Sequence, residues 1–323
     1  MNHSSMNSVQ DELLTLRDFI RWSASCFNEA GLFFGHGTAT ALDEAAALVL
    51  YALSLEYTLP ETYFSARLTR PEKDRIVAMV EERVRSRVPL AYLTHEAWFC
   101  GLRFYVDERV LVPRSPIAEL IENRFQPWIA PDAVTRVLDL CTGSGCIAIA
   151  CAYAFPEAEV HAVDISSDAL AVARRNIADH DLEMQVQAVE SDLFNALEGQ
   201  RYDLIVSNPP YVNLDEWQSL PDEFHAEPAL GLAAGEDGLD IVRRMLAEVS
   251  RYLTPEGILV VEVGSSADML QAAYPDVPFW WIDFERGGDG VFMLTAAQIH
   301  EYHQALQPLE VPTNVTTGAV HVR

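Results

Sequence analysis

The chain has 323 residues, half of them hydrophobic, and a formal net charge of −26, a balance that disfavours a phosphate backbone as partner and suits solubility or a basic protein partner. No apolar run approaches the roughly 18 residues of a membrane span, and the polar start from Met1 to Gln10 lacks the regions of a signal peptide, so a soluble cytoplasmic protein is expected. Five cysteines (Cys26, Cys100, Cys141, Cys146, Cys151) are too sparse for a disulfide framework and predict reduced thiols.

Apolar spacing predicts helices over residues 12–30, 42–55 and 71–87, with Thr40 as a cap and Pro71 at a first helical position. These define an N-terminal helical domain, residues 1–95, in which Arg83, Arg85 and Arg87 are expected on a solvated face. Lys73 within it is the only lysine, which removes Schiff-base and phosphate-loop lysine chemistry from the rest of the chain. Aromatic and β-branched residues around Gly101 predict a hairpin linker over residues 96–115. Arg114 follows it, placed to meet a carboxylate of a ligand or of the chain itself. Pro116 starts a further helix, to about residue 124.

From Arg136 the pattern alternates. Strands are expected at 136–140, 159–163, 185–190, 203–206, 257–263, 279–284 and 291–295, and helices at 146–154, 167–179, 239–252 and 266–273. Such alternation predicts an α/β domain, residues 116–297, with a mostly parallel sheet covered on both faces and ligands beyond the carboxyl ends of its strands. A mobile tail is expected over residues 298–323. Its Asn314-Val315-Thr316 sequon has no meaning in a cytoplasmic protein. Cys141 and Cys146 lack nearby histidines, so no metal site is expected.

Three strand ends in succession carry candidate ligand groups. The strand ending Asp139-Leu140 enters Cys141-Thr142-Gly143-Ser144-Gly145, whose glycines allow close backbone approach to a ligand. Asp164 is placed to accept both hydroxyls of a ribose. Asp192 is placed to accept from an adenine amino group, with Leu193 against the ring. Gly143, Gly145 and Ala148 also fit a G-x-G-x-x-A dinucleotide fingerprint, which leaves a nicotinamide dehydrogenase open at this point.

The fourth strand end decides between them. After Leu204-Ile205-Val206-Ser207 come Asn208, Pro209, Pro210 and Tyr211. Neither proline has an N–H and both φ angles are fixed, so the segment is a stiff shelf of acceptors. Together with the Asn208 side-chain oxygen it can accept both hydrogens of a planar NH2 group, on which Tyr211 can stack. Hydride transfer has no use for such a shelf, whereas methylation of an amide or amino nitrogen does.

The glycine turn, Asp164 and Asn208-Pro209-Pro210-Tyr211 together resemble the Rossmann-like class I methyltransferases, with a seven-stranded mostly parallel sheet, that modify amide or exocyclic amino nitrogens. The stretch from Ala97-Trp98-Phe99-Cys100-Gly101 to Arg114-Ser115-Pro116 is similar to the glutamine N(5)-methyltransferases, in the branch acting on ribosomal protein three of the large subunit. The release-factor branch usually has Pro-Glu-Thr where this chain has Ser115-Pro116-Ile117. Resemblance extends over about residues 10–297, with a weaker echo from Glu227-Pro228 to Gly238-Leu239. It implies S-adenosylmethionine as cofactor, held by Asp139, Cys141, Thr142, Gly143, Ser144, Gly145, Asp164, Asp192, Leu193 and Asn208. It further implies Asn208 to Tyr211 as the catalytic segment, the ribosomal protein as substrate, and support of ribosome assembly. The alternatives are an adenine methyltransferase on nucleic acid and a release-factor methyltransferase. Cys141 departs from the pattern, standing where many relatives have the first glycine of the turn.

Overall fold

The computed structural model of the chain describes residues 9–307. Its first part is a helical bundle of α1 (Leu16–Glu29), α2 (Ala41–Ala52) and α3 (Arg70–Ser86). Thr15 and Asp18 form a capping box on α1, and Thr40 accepts from Asp43 N–H on α2, so two exposed helix starts are satisfied locally. Phe19, Phe27, Leu48 and Ile76 close the core between them. A short helix that the sequence reading did not anticipate, α4 (Leu90–Thr94), follows Arg87, whose φ of 57° ends α3.

The arginines at the end of α3 correct the expectation of a solvated face. Arg85 is exposed, but Arg83 is 0% exposed with Nε 2.7 Å from Glu44, and Arg87 Nη2 lies 2.9 Å from buried Glu223. Positions 83 and 87 are one helical turn apart and share a face, while 85 points nearly opposite. That shared face meets the 3₁₀ turn Asp222–Ala226.

The hairpin is shorter than expected. β1 (Ala97–Phe99) pairs with β2 (Leu102–Phe104) across Cys100-Gly101, both at positive φ. Residues 105–114 form no strand; they run as an arm whose Val106, Val110 and Val112 pack with Ala91, Tyr92, Ala169 and Val172. Burial against α4 and against the helix that carries Ala169 and Val172, rather than strand pairing, uses their β-branched side chains.

After α5 (Ile117–Glu122) come β3 (Arg136–Leu140), α6 (Cys146–Ala154), β4 (Glu159–Asp164), α7 (Ser167–Asp179), β5 (Val186–Glu190), β6 (Tyr202–Ser207), α8 (Leu214–Ser219), α9 (Asp240–Glu248), β7 (Leu253–Glu262), α10 (Ala267–Ala273), β8 (Trp280–Trp281), β9 (Val291–Thr295) and α11 (Ala296–Glu301). The strands form one seven-stranded sheet in the order β5-β4-β3-β6-β7-β9-β8. β3 to β7 are parallel neighbours, and β9 runs antiparallel to β7 and β8. This is the mostly parallel, doubly covered sheet expected for a Rossmann-like methyltransferase. Val137, Val206 and Val260 face one layer with α6; Leu138, Ile205 and Leu259 face the other with Val242, Met245 and Leu246 of α9, as the period of two requires.

The chain does not leave the core at residue 297. Ile299 and Leu306 are 1% and 0% exposed and join the α9 layer, which corrects the mobile tail as far as Gln307. The sequon, Pro308 and Pro312 lie outside the described residues. No helix among the described residues is long and apolar enough to cross a membrane.

Candidate active site

Sheet order reverses between β3 and β6, the position where open α/β sheets leave a crevice. Leu140 and Ser207 are paired in register, and Ser207 Oγ donates to the Leu140 carbonyl at 2.6 Å. Cys141 and Asn208 therefore leave the sheet side by side, which brings the glycine turn and the proline shelf to one place.

The turn is held from within. Cys141, Gly143 and Gly145 have φ of 59°, 54° and 80°, and the left-handed conformation at Cys141 costs about 1 kcal/mol that glycine would not incur. A Cβ on Gly145 would stand 3.2 Å from Ala173 Cβ of α7. Asp139 is 0% exposed and accepts from the Thr142 hydroxyl and from Ala148 N–H. Burial pushes its carboxyl up to about 7, and it braces the turn and the start of α6. Buried Asn176 of α7 ties the turn to the arm, donating to Ser144 and Tyr105 carbonyls and accepting from Tyr105 N–H at 2.8 Å.

In front of the turn lies a cavity of about 220 Å³. Cys141, Thr142, Gly143, Ser144, Asp164, Asp192, Leu193, Asn208 and Pro210 line it, so most of the sequence-predicted residues converge. Asp139, Gly145, Pro209 and Tyr211 stand behind this lining. Asp164 ends β4; its Oδ2 accepts from Gly143 N–H and Oδ1 from Ser166 N–H, each at 2.9 Å. Burial raises its pKa against those two bonds, and each oxygen keeps a lone pair for a further donor. Both Asp192 oxygens lie 2.8 Å from Arg244 Nη2, a partner on α9 that sequence reasoning missed. Asn208 lines the cavity and takes no side-chain hydrogen bond within the chain among the described residues.

Tyr211 is fixed rather than free to swing. Its hydroxyl donates to Glu262 at 2.9 Å, and a Cβ on Gly264 would come 2.5 Å from its ring.

The arm and a loop roof the cavity, through Leu111, Pro113, Pro228 and Leu230. Glu227 joins them. Its oxygens accept from Val112 N–H at 2.9 Å and from Arg114 at 2.6 and 2.7 Å, with His36 Nε2 of the helical bundle 3.5 Å away. The carboxylate that Arg114 meets therefore belongs to the chain. Burial alone would raise the Glu227 pKa, but the nearby His36 ring and the hydrogen bonds and charge of Arg114 hold it at about 2. The one sequence signal for this residue is the Glu227-Pro228 echo.

The methyltransferase small domain family matches residues 124–229. A ribosomal protein uL3 glutamine methyltransferase of Francisella tularensis is 48% identical over 95% of this chain and 98% of its own length. A protein of the same name from Neisseria meningitidis serogroup B is 49% identical over 93% of this chain and 99% of its own. A methyltransferase structure from Pyrococcus furiosus, 16% identical, covers 69% of this chain and 98% of its own at a TM-score of 0.45. Near-identical length and such identity, on a chain whose glycine turn and proline shelf meet at the sheet's switch point, place it: the chain belongs to the ribosomal protein uL3 glutamine methyltransferase family.

Proposed function

We propose that this enzyme transfers the methyl group of S-adenosylmethionine to the side-chain amide nitrogen of a glutamine in ribosomal protein uL3, in support of ribosome assembly. The observation that carries the reading is the juxtaposition of Asn208, its side-chain amide unbonded among the described residues, with the glycine turn at the β3–β6 switch point. The donor set fits the cofactor. Asp164 offers a strand-end carboxylate to ribose hydroxyls, the open Gly143 backbone admits a chain beside it, and Asp192 with Leu193 flanks the position for adenine. S-adenosylmethionine supplies a methyl group activated on a sulfonium.

The chain's own residues then have to orient a poor nucleophile, because the lone pair of an amide nitrogen is delocalised into its carbonyl. Asn208 Oδ1 accepts one N–H of the glutamine amide, and a backbone carbonyl of the shelf accepts the other. Acceptors placed this way favour the pyramidal, partly positive nitrogen that develops during attack, and alignment of two bound reactants is itself worth several kcal/mol. Pro209 and Pro210 offer no competing donor. The proton leaves to solvent after transfer. No base on the chain is required. The helical part, residues 1–95, with the hairpin and arm to residue 115, selects the protein substrate, while the sheet carries the site. A basic ribosomal protein suits a chain of charge −26, and that charge speaks against a nucleic-acid acceptor.

The test is direct: purified chain, labelled S-adenosylmethionine and purified uL3, with the methyl located by peptide mass spectrometry. Methylation of a glutamine amide is expected; label on RNA or on a release factor alone would replace this reading. Asp164→Ala should weaken cofactor binding by about 2 to 3 kcal/mol, the loss of charge-assisted bonds to two hydroxyls. Calorimetry showing unchanged affinity in a folded variant would remove Asp164 from the cofactor site.

A further inference from the structure

Glu262 is a buried carboxylate that the reaction as described does not use. It ends β7, the neighbour of β6, and the register Ser207↔Val261 places it next to Asn208 along the top of the sheet. It is 5% exposed. Both of its oxygens are engaged, Oε2 by the Ser115 hydroxyl at 2.5 Å and Oε1 by the Tyr211 hydroxyl at 2.9 Å. Ser115 belongs to the arm side of the cavity and lines it; Tyr211 continues the Asn208-Pro209-Pro210 shelf on the other side. Glu262 does not itself line the cavity.

A carboxylate buried at the end of a core strand is costly unless its hydrogen bonds are complete. An apolar residue would serve β7 equally well as core, since Val261 and Val263 beside it are both fully buried. What the carboxylate adds is a tie between two walls. The shelf side of that tie is rigid: Ser266 Oγ donates to the Tyr211 carbonyl at 2.8 Å, and Gly264 lets the ring lie flush on the backbone. The arm side is rigid as well, because Ser115 Oγ also accepts from Ile117 N–H at 3.2 Å at the start of α5.

Resting on the methyltransferase reading above, we propose that Glu262 is a positioning residue for the methyl acceptor: by accepting from Ser115 and Tyr211 together, it sets the spacing between the arm and the proline shelf, the slot into which the glutamine amide enters. It touches neither reactant. Its effect is on alignment, where a displacement of about 1 Å far from the chemistry can cost two orders of magnitude in rate.

The experiment compares wild type, Ser115→Ala, Ser115→Thr, Tyr211→Phe, Glu262→Gln and the Ser115→Ala/Tyr211→Phe double variant. Each is assayed for single-turnover methyl transfer to purified uL3 at saturating substrate, for S-adenosylmethionine affinity by calorimetry, and for thermal midpoint. Ser115→Ala, Tyr211→Phe and Glu262→Gln should each be slower by roughly tenfold or more, with cofactor affinity changed less than about threefold. The double variant should be no slower than its slower parent, because both hydroxyls act through one carboxylate. Ser115→Thr keeps the hydroxyl and should restore the rate to within about threefold of wild type. A role in stability alone predicts lowered midpoints with unchanged rates per folded molecule, and that result overturns the proposal, as does a threonine variant as slow as the alanine one. A wild type that transfers methyl while Ser115→Ala matches it refutes the positioning role and spares the methyltransferase reading; a wild type that methylates no glutamine refutes both.

Discussion

Asn208→Ala is expected to slow methyl transfer at least about a hundredfold while cofactor affinity stays within about threefold of wild type. The variant removes the acceptor for one N–H of the substrate amide inside a cavity roofed by Leu111, Pro113, Pro228 and Leu230. An unpaired donor there costs about 1 to 3 kcal/mol, and the loss of alignment adds to it, so a hundredfold, about 2.7 kcal/mol, is within reach of the two together. Asp164 and the turn are untouched, and the Asn208 side chain forms no hydrogen bond among the described residues whose loss would unfold the site. Single-turnover transfer from labelled cofactor to uL3 is the measurement, paired with calorimetry. Near-normal transfer would make the shelf a structural turn. Asn208→Asp should also be slow, since a carboxylate keeps an acceptor but adds a charge beside the sulfonium.

Glu227→Ala should be the most destabilising single change in the roof, at about 3 to 5 kcal/mol. It leaves Arg114 without its counter-charge and the Val112 N–H without its acceptor, and it withdraws the carboxylate from His36. Urea denaturation followed by tryptophan fluorescence measures it, and a loss under about 1 kcal/mol would mean that the roof tolerates an open joint. The pair Arg114→Met with Glu227→Gln should recover part of the loss, because glutamine keeps an acceptor for Val112 and no guanidinium remains unpaired. The pH dependence follows from the depressed pKa. A carboxyl held at about 2 when folded, against an ordinary value near 4.3 when unfolded, contributes stability that is complete above the unfolded value. That contribution is lost as pH falls from about 4.5 towards 2, and Glu227→Gln should lack this share of the acid sensitivity.

What the sequence made legible was local. α6 and α7 begin and end where the alternating pattern placed them, and the strands of the central sheet follow from apolar runs, because such signals are carried by residues close in the chain. The convergence of Asp164, Asp192 and Asn208 on one cavity followed from a topological rule applied to those strands. What stayed illegible was long-range and polar. Phe33 and Glu223 are 190 positions apart, and Val112 and Glu227 are 115 apart, so no periodicity announces their bonds. Arg83 reads as a surface residue by composition and is buried where Glu44 from another helix, Glu223 and the Phe33 carbonyl meet it. Val106 to Val112 read as strand because β-branched residues fit any buried extended surface, paired or not. The last turns of the core were missed because Ile299 and Leu306 are isolated apolar positions in a polar stretch.

The lone lysine of the helical bundle has a practical side. The Lys73 ammonium donates to the carbonyls of Gln10 and Leu13 at 2.9 and 2.6 Å and is almost fully covered. A lysine-specific protease has one peptide bond to cut in the whole chain, and that bond lies inside α3. Cleavage there requires the bundle to open, so its rate under native conditions counts openings of the bundle and is blind to the sheet. Lysine-directed dyes and crosslinkers likewise meet a covered ammonium, and an attachment at Lys73 samples the same rare openings.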